Sequence, residues 1–146
     1  MNEIVKLVIY GEPKGKARPR YSRKAKRVYT PTDTVNYENL IRAAYWAKYG
    51  NVCVFPKDMP LDMRIRAYYE VPRSDSVKCR SKKLAGAIRP TKKPDWDNIG
   101  KIAADALNKV AYYDDAQVVD AQIRKFYSNN PRVEIIIKYA GGKSNE

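Results

Sequence analysis

The cleanest hydrophobic pattern in the chain runs from Leu61 to Val71. Leu61, Met63, Ile65, Ala67, Tyr69 and Val71 fall on one side and Asp62, Arg64, Arg66, Tyr68 and Glu70 on the other. That two-residue period predicts a strand with one covered face. Arg132 to Tyr139 repeats it, with Val133, Ile135, Ile137 and Tyr139 together. The short β-branched run from Ile4 to Tyr10, ended by Gly11, reads as a first strand. Val118 to about Tyr127 is another strand, and a turn at Asn129, Asn130 and Pro131 makes the last two a closing hairpin. Helical spacing takes over elsewhere. Ile99, Ile102, Ala103, Ala106, Leu107 and Val110 form an apolar stripe for a helix from Asn98 to about Val110, capped by Asp97, with Lys101, Asp105 and Asn108 opposite. Val35, Leu40, Ile41, Ala44 and Ala47 roughly follow the helical period between a cap at Asp33 or Thr34 and a stop at Gly50. A short third helix is expected after Ser74 or Asp75, ending by Gly86 or Pro90. The sum is a single α+β domain over residues 1–146, helices on one face of a small mixed sheet, with Gly141–Glu146 as a frayed tail.

The length of 146 residues agrees with one domain, enough to bury roughly 70% of the unfolded surface. No apolar run approaches the ~18 residues of a membrane span, and the first residues lack the apolar core of a secretory signal. A soluble, cytoplasmic protein is expected. The absence of histidine removes Ser-His-Asp triads, Cys-His pairs and histidine-based nucleases. Cys53 and Cys79 are too few and too far apart for a structural zinc site, and both are expected reduced. Acid–base chemistry must therefore fall to carboxylates, lysines, tyrosines or water activated by a metal.

Charge narrows the partner. The net charge is +13, from 29 Lys and Arg against 16 Asp and Glu. Such an excess repels itself unless a polyanion neutralises it, and the bases are not gathered on one amphipathic helix as a membrane surface would require. Nucleic acid is the expected partner, and the nucleoid the expected location. Lys14, Lys16, Arg18, Arg20, Arg23, Lys24, Lys26 and Arg27 form an acid-free stretch interrupted by Gly15 and Pro19, with Tyr21 and Tyr29 interspersed. It reads as a loop or ribbon facing a phosphate backbone. A second stretch carries Lys78, Arg80, Lys82, Lys83, Arg89, Lys92 and Lys93, again without an acid. The plainer reading of either is a solvated loop.

Acids are scarce, yet six of the sixteen fall between Asp95 and Asp120: Asp95, Asp97, Asp105, Asp114, Asp115 and Asp120. Carboxylates repel the phosphates a basic protein attracts. Divalent cations reverse that repulsion, because Mg²⁺ takes carboxylate and phosphate oxygens together. Lys101 lies one helical turn beyond Asp97, on the same face. Asp114 and Asp115 meet Asp95 and Asp97 only if the following strand returns alongside the helix. Singly, each residue has an ordinary use: Asp97 as a cap, Lys101 as a salt-bridge partner of Asp97 or Asp105, Asp114 and Asp115 as turn formers. Asp105 and Asp120 read as exposed charges.

The stretches Lys93-Pro-Asp-Trp-Asp-Asn-Ile-Gly-Lys101, Asp105-Ala-Leu-Asn108 and Tyr113-Asp-Asp-Ala-Gln-Val-Val-Asp120 resemble the RusA family of Holliday-junction resolvases. The resemblance covers about thirty residues closely. It implies a RusA-like fold and a homodimer that nicks four-way DNA junctions with Mg²⁺ or Mn²⁺, in recombination and repair. It places the family's catalytic, metal-holding carboxylates on Asp95, Asp97 and Asp115, its catalytic lysine on Lys101, and a less certain contributor on Asp114. Trp96 departs from the smaller aliphatic residue usual there and is expected as a core anchor. Gly100 is expected to weaken the helix by up to ~1 kcal/mol. Tyr112 and Tyr113 are expected in the core. Two other readings keep part of this pattern: a non-catalytic DNA-binding protein of the same fold, and a metal nuclease acting on flaps or single strands.

Overall fold

The computed structural model describes residues 3–141. The expected tail lies outside them, apart from Gly141. Six strands and three helices follow in the order β1 Ile4–Tyr10, β2 Arg20–Ser22, β3 Arg27–Tyr29, α1 Thr32–Tyr49, β4 Leu61–Glu70, α2 Val77–Leu84, α3 Trp96–Leu107, β5 Val118–Ser128 and β6 Arg132–Tyr139. A 3₁₀ turn at Asp115–Gln117 leads into β5.

Four strands form one mixed sheet in the order β1-β6-β4-β5, and β2 and β3 form a separate ribbon. β6 is antiparallel to both β1 and β4, whereas β4 and β5 run parallel. The parallel pair requires a crossover, and the chain between Glu70 and Val118 that supplies it contains α2 and α3. The closing hairpin does not form. β5 and β6 are joined by three residues, but β4 lies between them and takes the hydrogen bonds of both. Sequence adjacency favoured the hairpin; the apolar residues of β6 instead gain neighbours on both sides. Ile135 faces Leu7 on β1 and Ile65 on β4, and Ile137 faces Val5 and Met63. All six are buried.

Helices α1 and α3 pack on each other, with α1 also against β1 and α3 against β5. The α3 stripe is buried at Ile99, Ile102, Ala103, Ala106 and Leu107, but the helix ends at Leu107, so Val110, expected in the stripe, lies beyond it and is half-buried. The helix also starts two residues early. Asp95 rather than Asp97 occupies the cap position, without a side-chain cap bond, and the first turn begins at Trp96. Gly100 has a packing reason: a Cβ there would lie 2.6 Å from the Ile123 Cδ1 atom of β5. On α1 the buried residues are Thr34, Tyr37, Glu38, Ile41 and Tyr45, while Val35 and Leu40 are exposed. Large aromatic rings, rather than the smaller aliphatics, define its inner face. α2 is capped by Ser76, whose Oγ accepts the Cys79 N–H at 3.1 Å, not by Ser74 or Asp75. Cys53 and Cys79 are free. Among the described residues no helix is long and apolar enough to cross a membrane.

Candidate active site

The solvent side of α3 organises the acidic residues. Asp97, Lys101, Asp105 and Asn108 recur every three or four residues and so share one face. Ahead of them, Asp95 sits at the helix entrance in a cleft of about 580 Å³ lined by Lys14, Gly15, Lys16, Arg18, Asp33, Lys93, Pro94 and Asn98. The first basic stretch forms one wall because its backbone docks on the helix: the Lys16 N–H donates to the Asn98 carbonyl at 2.9 Å. Gly15 is needed for this approach. A Cβ there would fall 2.9 Å from the Cβ atoms of both Pro94 and Asn98, closer than packed carbons tolerate.

At the other end, a capping box fixes the 3₁₀ turn. Asp114 Oδ1 accepts the Ala116 N–H at 2.9 Å, and Gln117 Oε1 accepts the N–H groups of Tyr113 and Asp114 at 2.9 and 3.1 Å. Gln117 is itself buried and donates to the Pro56 and Met59 carbonyls, both at 3.0 Å. The Asp115 N–H donates to Asn108 Oδ1 at 3.2 Å, which docks the turn on the C-terminal end of α3. Asp97 and Asn108 are eleven residues apart, about 16 Å along the axis. Asp95, Asp97 and Asp115 therefore line a row along the helix, and among the described residues no three acidic, cysteine or histidine side chains stand close enough to hold a metal ion.

Asp105 is the member of this row that the sequence reading passed over. Its carboxylate is 3.3 Å from the Lys16 ammonium and 3.7 Å from that of Lys101. The signal was its four-residue spacing from Lys101 and eight-residue spacing from Asp97. Lys16 also bonds Glu38 at 3.0 Å, so this lysine, expected to meet DNA, is committed within the protein. Lys83 is likewise held, 2.6 Å from Asp75 and over the Tyr127 ring. The other bases expected to face DNA, Lys14, Arg18, Arg20, Arg23, Lys24, Lys82, Lys92 and Lys93, are exposed. Arg20 and Arg23 belong to the β2–β3 ribbon and its turn. Trp96 is no core anchor: it is 65% exposed as the first residue of α3, although its spacing from Ile99 and Ala103 puts it on the side of the stripe. Tyr112 is fully buried and donates to the Ala104 carbonyl at 2.7 Å, while Tyr113 is exposed.

Electrostatics distinguish the carboxyls of the turn. Partial burial, the hydrogen-bonded Asp114 and the nearby Asp105 charge push Asp115 above the usual carboxylate range, with Lys101 opposing. Asp114 is held below it by the Ala116 N–H and by its bond with Asp115. Near the helix entrance, burial lowers the Lys125 amine and the Asp95 charge partly restores it.

A small α+β domain with carboxylates set into a cation-lined cleft is the architecture of a protein that handles phosphodiesters. The chain belongs to the RusA endodeoxyribonuclease family, which it matches over residues 10–138. At family level the activity is that of a Holliday-junction endonuclease, and the partner is junction DNA. The chain is also similar to the uncharacterized protein YqaN of Bacillus subtilis (strain 168), 35% identical over 144 residues, which span 93% of this chain and 96% of that one.

Proposed function

We propose that this protein is a divalent-cation-dependent endonuclease that resolves four-way DNA junctions as a homodimer, in recombination and repair at the nucleoid. The observation that carries the reading is Asp95 inside a cleft also lined by the uncommitted cations Lys14, Arg18 and Lys93, with Asp33 as a second carboxylate. Cations there attract phosphates, and a carboxylate delivered into their midst at the start of α3 has a use if it holds a divalent cation against the phosphate. The donor set suits Mg²⁺ or Mn²⁺ held by one or two carboxylates with substrate phosphate and water completing the shell, rather than a cage of three aspartates. Asp95 and Asp97 at the entrance, and Asp115 with Asp114 at the exit, are the residues that would hold such ions. A bound cation would neutralise the phosphate and activate water for in-line attack.

The side chains of the protein divide the remaining work. Lys14, Arg18 and Lys93 seat the strand, and the docked Lys16 backbone keeps that wall against α3. Lys101, 62% exposed beside Asp105, is placed to offset charge developing on the attacked phosphate. Two cuts related by a two-fold axis need two sites, which is the reason for a dimer.

The test is nicking of a synthetic four-way junction in Mg²⁺ and in EDTA, with flap and linear duplex as comparisons. Cleavage should require the cation, favour the junction, and fall to background in Asp95→Asn and Asp115→Asn while both variants still bind. Full cleavage by either variant defeats the assignment. Cation-independent binding without cleavage would make the chain a DNA-binding protein only.

A further inference from the structure

The segment that delivers Asp95 to α3 is tied to the sheet by side chains from two strands. Tyr69 of β4 is fully buried and donates its hydroxyl to the Pro94 carbonyl at 2.7 Å. Lys125 of β5 donates its ammonium to the Lys92 carbonyl at 2.6 Å. Arg89 returns the contact, its Nε donating to the Lys125 carbonyl at 3.0 Å. Tyr69 and Tyr127 are register partners, and Lys125 stands opposite Ala67. Their two-residue spacing puts Lys125, Tyr69 and Tyr127 on one side of the sheet. There the Lys125 ammonium is 5.1 Å from the Tyr69 ring centroid, and the Lys92 ammonium 5.9 and 6.0 Å from the Tyr69 and Tyr127 centroids.

A lysine at this place needs a reason. Ile123 and Tyr127 flank it on the same side of β5, where an apolar residue would pack without desolvating a charge. Its ammonium is spent on the Lys92 carbonyl, and it stands within electrostatic reach of Asp95. We propose that Lys125 is a positioning residue for the nuclease reaction: it fixes the 92–94 backbone so that Asp95 enters the cleft at a set place. This rests on the reading of Asp95 as a reacting group, and the two ideas fail differently.

The experiment is single-turnover nicking of a four-way junction in Mg²⁺, with junction Kd and thermal melting measured alongside, for the wild type, Asp95→Asn, Lys125→Met, Lys125→Arg and Tyr69→Phe. A misplacement of about 1 Å can cost a reaction up to ~100-fold. Lys125→Met should therefore lose about ten- to a hundredfold in rate with Kd changed less than about twofold, and Lys125→Arg should recover most of the rate. An unchanged rate in Lys125→Met overturns the proposal. So does a loss confined to Kd with the salt slope reduced by about one, which would make Lys125 a phosphate contact. If Lys125→Met does not fold, Tyr69→Phe and Lys125→Arg decide. A partial rate loss at constant Kd in the first, with near-normal rate in the second, supports the tie; full rate in the first sinks it. A wild type that does not nick, or an Asp95→Asn variant that nicks fully, overturns the nuclease reading itself and this proposal with it.

Discussion

At its entrance α3 sets Asp95 among cations, with Lys14, Lys16, Arg18 and Lys93 outnumbering the one other acid, Asp33, in the lining of the same cleft. At its exit the same helix brings Asp105 toward Asp114 and Asp115, and there the carboxyls crowd one another. The entrance is neutralised by the protein before anything binds. The exit is only partly so, by Lys16 and Lys101, and partial burial together with this crowding makes Asp115 keep its proton more tightly. A carboxylate among cations suits a phosphate arriving with its own counter-charge, whereas carboxyls that repel each other favour uptake of a proton or a cation. One helix thus offers two settings for the same chemical group.

The strongest way to break this contrast is at Lys16, which spans both ends: its N–H bonds Asn98 near the entrance and its ammonium bonds Asp105 and Glu38. Lys16→Met should destabilise the fold by about 3 kcal/mol, since the nearly buried Glu38 carboxylate loses its partner; thermal or urea unfolding measures this, and a change within ~0.5 kcal/mol would mean the network is idle. The entrance can be sharpened by salt titration of junction binding. The double variant Lys14→Ala, Arg18→Ala should weaken binding and reduce the log–log salt slope by about 1.8, two phosphates at ~0.9 each. Lys83→Ala, whose charge already faces Asp75, should leave the slope where it was. The smallest effect concerns the exit. In the cation-free protein, carboxyl NMR should find Asp115 titrating above the ordinary range and Asp114 below it. Asp105→Asn removes a negative neighbour and should bring Asp115 down, narrowing the gap; coincident titrations would contradict the crowding.

The elements with one uniform period were legible in the chain. The stripe of α3 and the alternation of β4 and β6 each report a single covered face, and those faces are buried except at their ends, where Val110 lies past the helix and Tyr139 is exposed. Legibility failed where a partner distant in sequence decides burial. Glu38 is inside only because Lys16, twenty-two residues earlier, reaches it, and Tyr37 and Tyr45 displace Val35 and Leu40 from the inner face of α1. Trp96 has core-like chemistry and the spacing of the stripe, but it stands at the very first residue of α3 and is exposed. The aspartate pattern pointed to the right segment. Its arrangement as a row, with Asp105 included, depended on where the turn docks on Asn108. Lys125 left one trace, a charge on the same side of the strand as Ile123 and Tyr127, and its partner in the 92–94 segment could not be read locally.

The position of β6 has a consequence for how the molecule comes into being. Its neighbours are β1, from the opposite end of the described chain, and β4, so pairs such as Val5 with Ile137 close a loop of more than a hundred residues. Contacts of that range are entropically late. During synthesis the sheet has a gap at its centre until the final strand clears the ribosome, and the helix carrying the acidic row has no finished floor to rest on. The family's fold is thus complete in its sheet only once β6 is in place.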